Sequence, residues 1–298
     1  MTLPFSEPGP QHNHRANWLG RYLSVQSVMD EQLDKVLQEA SIDAEQALLG
    51  VKGETFGATV QRIQYNFALQ AIRTILHGLF LSTGDIIRDN RKDAVSVAVD
   101  AAANNEKTFL DRIFDNDTDK QNYIDSLKQT AKRNVEATIA RVYLSEKPLS
   151  QRVYKTEALA TGQVRRLVNS SIARGDSAAD IAKSVRSSIR PDVRGGIAYA
   201  AIRLGRTELN NAFHAQSIVE QEAKPWVDHM QWFLSKVHEP DNCLCEVYAK
   251  QKRFIKSAVP EKPHPNCRCY VVPILIDYTS FENNLLIGMY DNFLQHAA

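Results

Sequence analysis

The chain has 298 residues, 43% of them hydrophobic, enough to bury one large core or two smaller ones, and the length favours two domains. With 36 Lys and Arg against 35 Asp and Glu, the formal net charge of +1 excludes both a polyanion-coating protein and an acidic solvating one. The start, Met-Thr-Leu-Pro-Phe-Ser-Glu-Pro-Gly-Pro, has no basic stretch leading into an apolar run. The most apolar window, Phe67 to Leu81, is interrupted by Gln70, Arg73 and His77. The expectation is a protein made and kept in cytoplasm, without a membrane anchor.

Residues 1–17, with Pro4, Pro8, Gly9 and Pro10, carry little apolar periodicity and read as a flexible arm. Helical spacing then runs from about Val25 to Leu49 through Leu33, Val36, Leu37 and Ala44, stopped by Gly50 and Gly53. Thr55 caps a second helix through Ile63, Phe67, Ile72 and Leu79, apolar on most faces and therefore central to a bundle. A third helix is expected over Thr83 to Ala103 and a short fourth over Lys107 to Phe114. Thr118 with Gln121 has capping-box spacing and opens a helix through Val142 that Pro148 ends.

After Ser150 the helical pattern restarts, breaks at Arg174-Gly175-Asp176, and resumes behind Ser177, which has Asp180 three residues on. Gly195-Gly196 leads into a helix from Ile197 to Ala223. Pro225 closes it and the period changes to two, with Met230, Trp232 and Leu234 alternating against Gln231, Phe233 and Ser235. Phe254-Ile255 and Tyr270 to Ile276 are further strands, the latter an edge because Pro273 cannot donate to a ladder. The tail 278–298 has the apolar spacing of a terminal helix. The chain thus reads as α+β and predominantly α. An arm (1–17) precedes an N-terminal helical bundle (18–148), a C-terminal domain of helices and a small antiparallel sheet with a Cys/His clamp (149–277), and the tail.

All four cysteines lie in the sheet region. Cys243 and Cys245 sit in Asp-Asn-Cys-Leu-Cys, and His264, Cys267 and Cys269 in His-Pro-Asn-Cys-Arg-Cys. A structural zinc takes about four thiolate or imidazole ligands in a tetrahedron, and paired ligands in tight turns reach one ion at little entropic cost. A zinc clamp, a disulfide between the pairs and reduced core thiols all fit this spacing. From Arg152 to Arg206 eleven Lys or Arg face four Asp or Glu, and Arg165, Arg166, Arg186, Arg190 and Arg194 fit either a basic solvated helix face, the commoner case, or contact with nucleic acid phosphates or an acidic partner. The 197–223 helix carries Arg206, Glu208 and His214 among alanines. Arg206 and Glu208 cannot face each other on one helix, so each needs a partner elsewhere, and a structural polar network is the expected role. Phosphate-loop, dinucleotide-fingerprint, zinc-protease and hydrolase-elbow motifs do not occur.

These segments in this order carry a resemblance: Ile172-Ala-Arg-Gly-Asp-Ser-Ala-Ala-Asp-Ile-Ala, the helix with Arg206-Thr207-Glu208, Trp232, the cysteine pair after Asp241, and His264-Pro-Asn-Cys-Arg-Cys before an apolar strand. Over about residues 155–276 the chain resembles the Mu F-like minor head proteins of tailed bacteriophages, with Cys243-Leu-Cys245 where relatives usually have Cys-x-x-Cys. The resemblance implies a minor capsid protein acting in head assembly, DNA packaging or DNA ejection. It would be assembled in the host cytoplasm and held in the virion inside the head at the portal vertex. Its partners would be the portal protein, the major capsid or scaffolding protein, and packaged DNA. Two other readings compete with it. One is a virion-carried enzyme, ADP-ribosyltransferase-like or a zinc hydrolase, using Arg206-Thr207-Glu208; the other is a cellular zinc-ribbon nucleic-acid protein.

Overall fold

A computed structural model describes residues 15–50, 58–144, 147–191, 196–235 and 243–297. Among these the fold is α+β and predominantly α, with eleven α-helices and one three-stranded antiparallel sheet. The helices are α1 (Arg15–Leu49), α2 (Ala58–Asn105), α3 (Lys107–Ile113), α4 (Asp117–Arg133), α5 (Val135–Val142), α6 (Leu149–Arg174), α7 (Ala178–Ile189), α8 (Ile197–Glu222), α9 (Leu244–Gln251), α10 (Tyr278–Leu286) and α11 (Asp291–Ala297). The strands are β1 (Val227–Phe233), β2 (Arg253–Ile255) and β3 (Tyr270–Leu275), in the order β2-β1-β3. No helix among the described residues is long and apolar enough to cross a membrane.

The chain forms two compact units, neither of them a continuous stretch. One comprises Met1–Gln26, Asn90–Glu146 and Leu209–Ala298, the other Ser27–Asp89 and Lys147–Glu208. The sequence pattern instead suggests a consecutive division at Pro148, because periodicity identifies helices without saying which of them pack together.

The second unit is all helical. Its core is built from Leu33 and Leu37 of α1, Ile72 and Leu76 of α2, Val164 and Val168 of α6, Ile181 and Val185 of α7, and Ala201 of α8, all essentially buried. The expected break near residue 83 does not occur, and the second and third helices are one. Leu76, Phe80, Thr83 and Ile87 keep the three- and four-residue rhythm and are all buried, so the apolar stripe passes through Ser-Thr-Gly without losing phase. Gly175, at φ +78, closes α6, its N–H bonding Ile172 O while Asp176 N–H bonds Ser171 O. The expected cap at Ser177 forms, its Oγ accepting the Asp180 N–H at 3.2 Å.

In the first unit α1 begins at Arg15, well before Val25 and within the expected arm, because Trp18 and Tyr22 are buried anchors. Trp18 stacks on Phe213 at 5.2 Å, and Tyr22 Oη donates to Asn210 Oδ1 at 2.7 Å. Residues 1–14 lie outside the described residues, as do Gly53 and Thr55. Asn116, not Thr118, caps α4, because its Oδ1 is the acceptor that reaches the Asp119 N–H, at 2.8 Å. The helix expected to continue to Val142 stops at Asn134 and restarts as α5. The sheet forms at the expected strands, with β1 starting earlier, at Val227. Met230 and Trp232 face inward from central β1, and Pro273 lies on edge strand β3 opposite Met230. Phe281 and Tyr290 of the terminal segment, which is helical as expected, pack on Trp226 and Phe109.

A candidate metal centre

Cys243 is the N-cap of α9, a helix the apolar periodicity does not announce because it is eight residues long and directly follows the cysteine. The capping sulfur accepts the Cys245 N–H at 3.4 Å. This places two sulfurs at the N-terminus of α9. On the opposing loop the chain reverses at Pro265-Asn266. Asn266 takes φ +58, a conformation Asn tolerates better than most residues, and the reversal presents His264 and Cys267 from the same turn. Cys269 immediately precedes β3.

All five expected ligands come together. Cys243, Cys245 and His264 form one group, and Cys245, Cys267 and Cys269 another, the ligand atoms of each lying within 4.8 Å of one another. Cys245, the residue at the departure from the usual Cys-x-x-Cys spacing, is common to both. Its Sγ lies 3.6 Å from His264 Nε2 and 3.4 Å from Cys267 Sγ. Metal–sulfur and metal–nitrogen bonds of about 2.3 and 2.0 Å put neighbouring ligands of a tetrahedral ion roughly 3.5–3.8 Å apart, so the sulfur–nitrogen separation fits such an ion and the two sulfurs need to spread by only a few tenths of an ångström. The four cysteines are free, and a sulfur–sulfur distance of 3.4 Å is far from a bond.

The surroundings suit a cation held by sulfur. His264 Nδ1 lies 3.0 Å from Pro265 O. A carbonyl can only accept, so the proton sits on Nδ1 and the Nε2 lone pair faces Cys245. Hydrogen bonds from Cys245 and Cys269 hold the Cys267 thiol well below its ordinary pKa, while the hydrogen bond to Cys267 pushes that of Cys245 up. Protons shared among close buried thiols are what a metal ion displaces on binding. Lys262 Nζ donates to the carbonyls of Cys267 and Cys269, each at 2.9 Å, and brings a positive charge beside the sulfurs. Ile218, Met230, Trp232, Phe254 and Val271 enclose the cluster in apolar side chains.

His214 of α8 lies behind this loop rather than among the ligands. Its Nε2–H donates to Pro260 O at 3.0 Å, and its ring meets Trp232 edge-on at 5.5 Å. Burial, reinforced by the Lys262 charge, lowers its pKa to about 3, so the ring is neutral. Arg206 and Glu208 each find a partner outside their own helix, as their two-residue spacing requires. Arg206 grips Asp30 through Nε and Nη2, with contacts of 2.8–3.2 Å, and fully buried Glu208 pairs with Arg152.

Of the candidate contact arginines, Arg165 and Arg166 are exposed on α6. Arg186 is engaged by Glu45 at 2.6 Å, Arg190 is half-buried at the end of α7, and Arg194 lies outside the described residues.

Two groups give no advance signal in the sequence. Lys262 is one lysine among many until the loop folds. Lys224 lies in a fully buried cluster, 2.8 Å from Glu106 and 3.3 Å from Glu220, with Trp226 Nε1 also donating to Glu106. Comparison of the chain with family models, curated proteins and solved structures finds no match.

Proposed function

We propose that this chain is a structural minor head protein of a tailed bacteriophage, of the Mu F-like kind, and that its Cys/His cluster holds a structural zinc. One observation carries the reading. Trp232, Cys245, Cys267, Cys269 and Val271, drawn from motif segments spread over residues 232–271, pack in a single core. Trp232, the Cys243-Leu-Cys245 pair and the His264-Pro-Asn-Cys-Arg-Cys turn with its following strand therefore depend on one another physically. A ligand set dominated by thiolates within an apolar shell suits a metal that fastens α9 and the His264–Cys269 loop beneath the sheet. When bound, the ion would supply cross-linking of these two loops.

The ion pairs of Arg206 with Asp30 and Glu208 with Arg152 favour this reading over an enzyme built on Arg206-Thr207-Glu208, because they give both side chains structural work. On this reading the protein resides in the virion, inside the head at the portal vertex. It contacts the portal protein and the capsid or scaffolding lattice, and exposed Arg165 and Arg166 are available to packaged DNA. Asymmetric imaging of the portal vertex in procapsids and virions, with the copy number counted, tests this. Density for the chain inside the head at that vertex is expected; a location outside the head overturns the reading.

A further inference from the structure

The segment from Asp277 onward carries Asp277, Glu282 and Asp291 and no Lys or Arg. Two buried rings hold it in place. Phe281 and Tyr290 stack at 5.5 Å, and each meets Trp226 edge-on at 5.6 Å. Between them the chain turns through Gly288 at φ +74, where a Cβ would come 2.7 Å from Asp291 Oδ2. With both ends anchored, the turn holds Leu286, Ile287 and Met289 outward at 71, 73 and 63% exposure. The result is a preformed apolar knob with Asp291 beside it, and exposed apolar clusters of this kind mark contact surfaces.

A matching cavity lies in the other unit. There α2 and α6 line an open groove of about 800 Å3, with Phe67, Leu76 and Tyr154 among its lining residues beside Arg73, Arg165 and Glu157, the last paired with His77. Phe67 is 73% exposed and Tyr154 55%. Arg73 and Arg165 are exposed and have no ion-pair partner among the described residues.

We propose that the Leu286-Ile287-Met289 turn of one copy seats in the α2/α6 groove of a second copy, with Asp291 facing Arg73 and Arg165. Apolar surface meets apolar surface, and Arg73 and Arg165 meet Asp291, the acid of the segment beside the turn; Glu282 is already paired with Arg112 at 3.1 Å and Asp277 caps α10. Knob and groove are different surfaces, so the contact is heterologous and each copy retains one free half for a further copy, giving a ring or an open row. The inference does not depend on the metal or on residence in a phage head.

Sedimentation velocity on the full chain tests it with two variants, Phe67→Asp, which spoils the groove, and Ile287→Asp, which spoils the knob. Both side chains are largely solvent-exposed, so the melting curves should stay close to that of the parent; Phe67→Ser and Ile287→Ser serve if either aspartate variant unfolds. The parent is expected to rise in average mass with concentration and to fall back as salt screens the charges. Each variant alone should remain monomeric. Mixing them should give a dimer that cannot extend, because each supplies the half that the other lacks. A parent that is monomeric throughout, association that survives in either variant, or a mixture that stays monomeric would each overturn the proposal.

Discussion

His214 Nε2 donates to Pro260 O across 3.0 Å, and through this contact α8 holds the loop that leads into His264, Cys267 and Cys269. The imidazole is neutral because burial outweighs everything else acting on it, lowering its pKa to about 3. In the unfolded chain the same group protonates near its ordinary value of about 6.5. Between these values the unfolded state binds the additional proton. The contribution is therefore complete above about pH 6.5 and is lost as pH falls toward about 3, at up to about 1.4 kcal/mol per pH unit. Urea midpoints of the parent and of His214→Gln, taken from pH 7 to 4, should converge on acidification. A constant separation would show that His214 does not titrate in this window.

Chelation should lower the melting temperature, and elemental analysis of protein purified without added metal should find about one zinc per chain. Cys245 belongs to both ligand groups, whereas Cys243 and His264 belong to one. Cys245→Ser should therefore abolish metal retention, and Cys243→Ser or His264→Ala should only weaken it. Lys262→Met, which leaves the ligands in place but removes the charge and the two carbonyl contacts, should weaken affinity by about 10–100-fold. Equal loss in all four variants would refute the central position of Cys245.

Glu208 and Arg206 should differ sharply in what they contribute to stability. Glu208 is fully buried, and Glu208→Gln leaves Arg152 without its carboxylate, at a cost of about 3 kcal/mol. Arg206 keeps a third of its side chain in solvent, so Arg206→Ala should cost about 1 kcal/mol or less. Denaturant melts of the two variants measure the difference.

Lys224 is held protonated: burial opposes its charge, but the carboxylates of Glu106 and Glu220 more than offset that cost. Lys224→Met strands Glu106 in the interior and should cost about 3–5 kcal/mol at neutral pH. The loss should shrink in acid, because burial already raises the pKa of Glu106 and protonation removes the stranded charge. Adding Glu106→Gln should recover much of the stability, and a double-mutant cycle reads the coupling directly.

How far the sequence could be read depends on the range of the forces involved. Apolar spacing is a local signal, and it located the strand segments, the terminal helix and the cap at Ser177. It misread Ser82-Thr83-Gly84 as a break because composition there suggests a turn, while the buried side of α2 runs on uninterrupted. Trp18 and Tyr22 were invisible for the same reason, since nothing near them in sequence announces Phe213 or Asn210.

The sequence alone determined which residue types could bind a metal, because chemistry and spacing restricted the choice to four cysteines and a histidine. Only tertiary structure decided that Cys245 joins the two ligand groups, that Lys262 lies over them, and that Arg206 and Glu208 take different partners. Those outcomes depend on contacts between segments far apart in the chain, and side-chain periodicity records which face is buried but not what it is buried against.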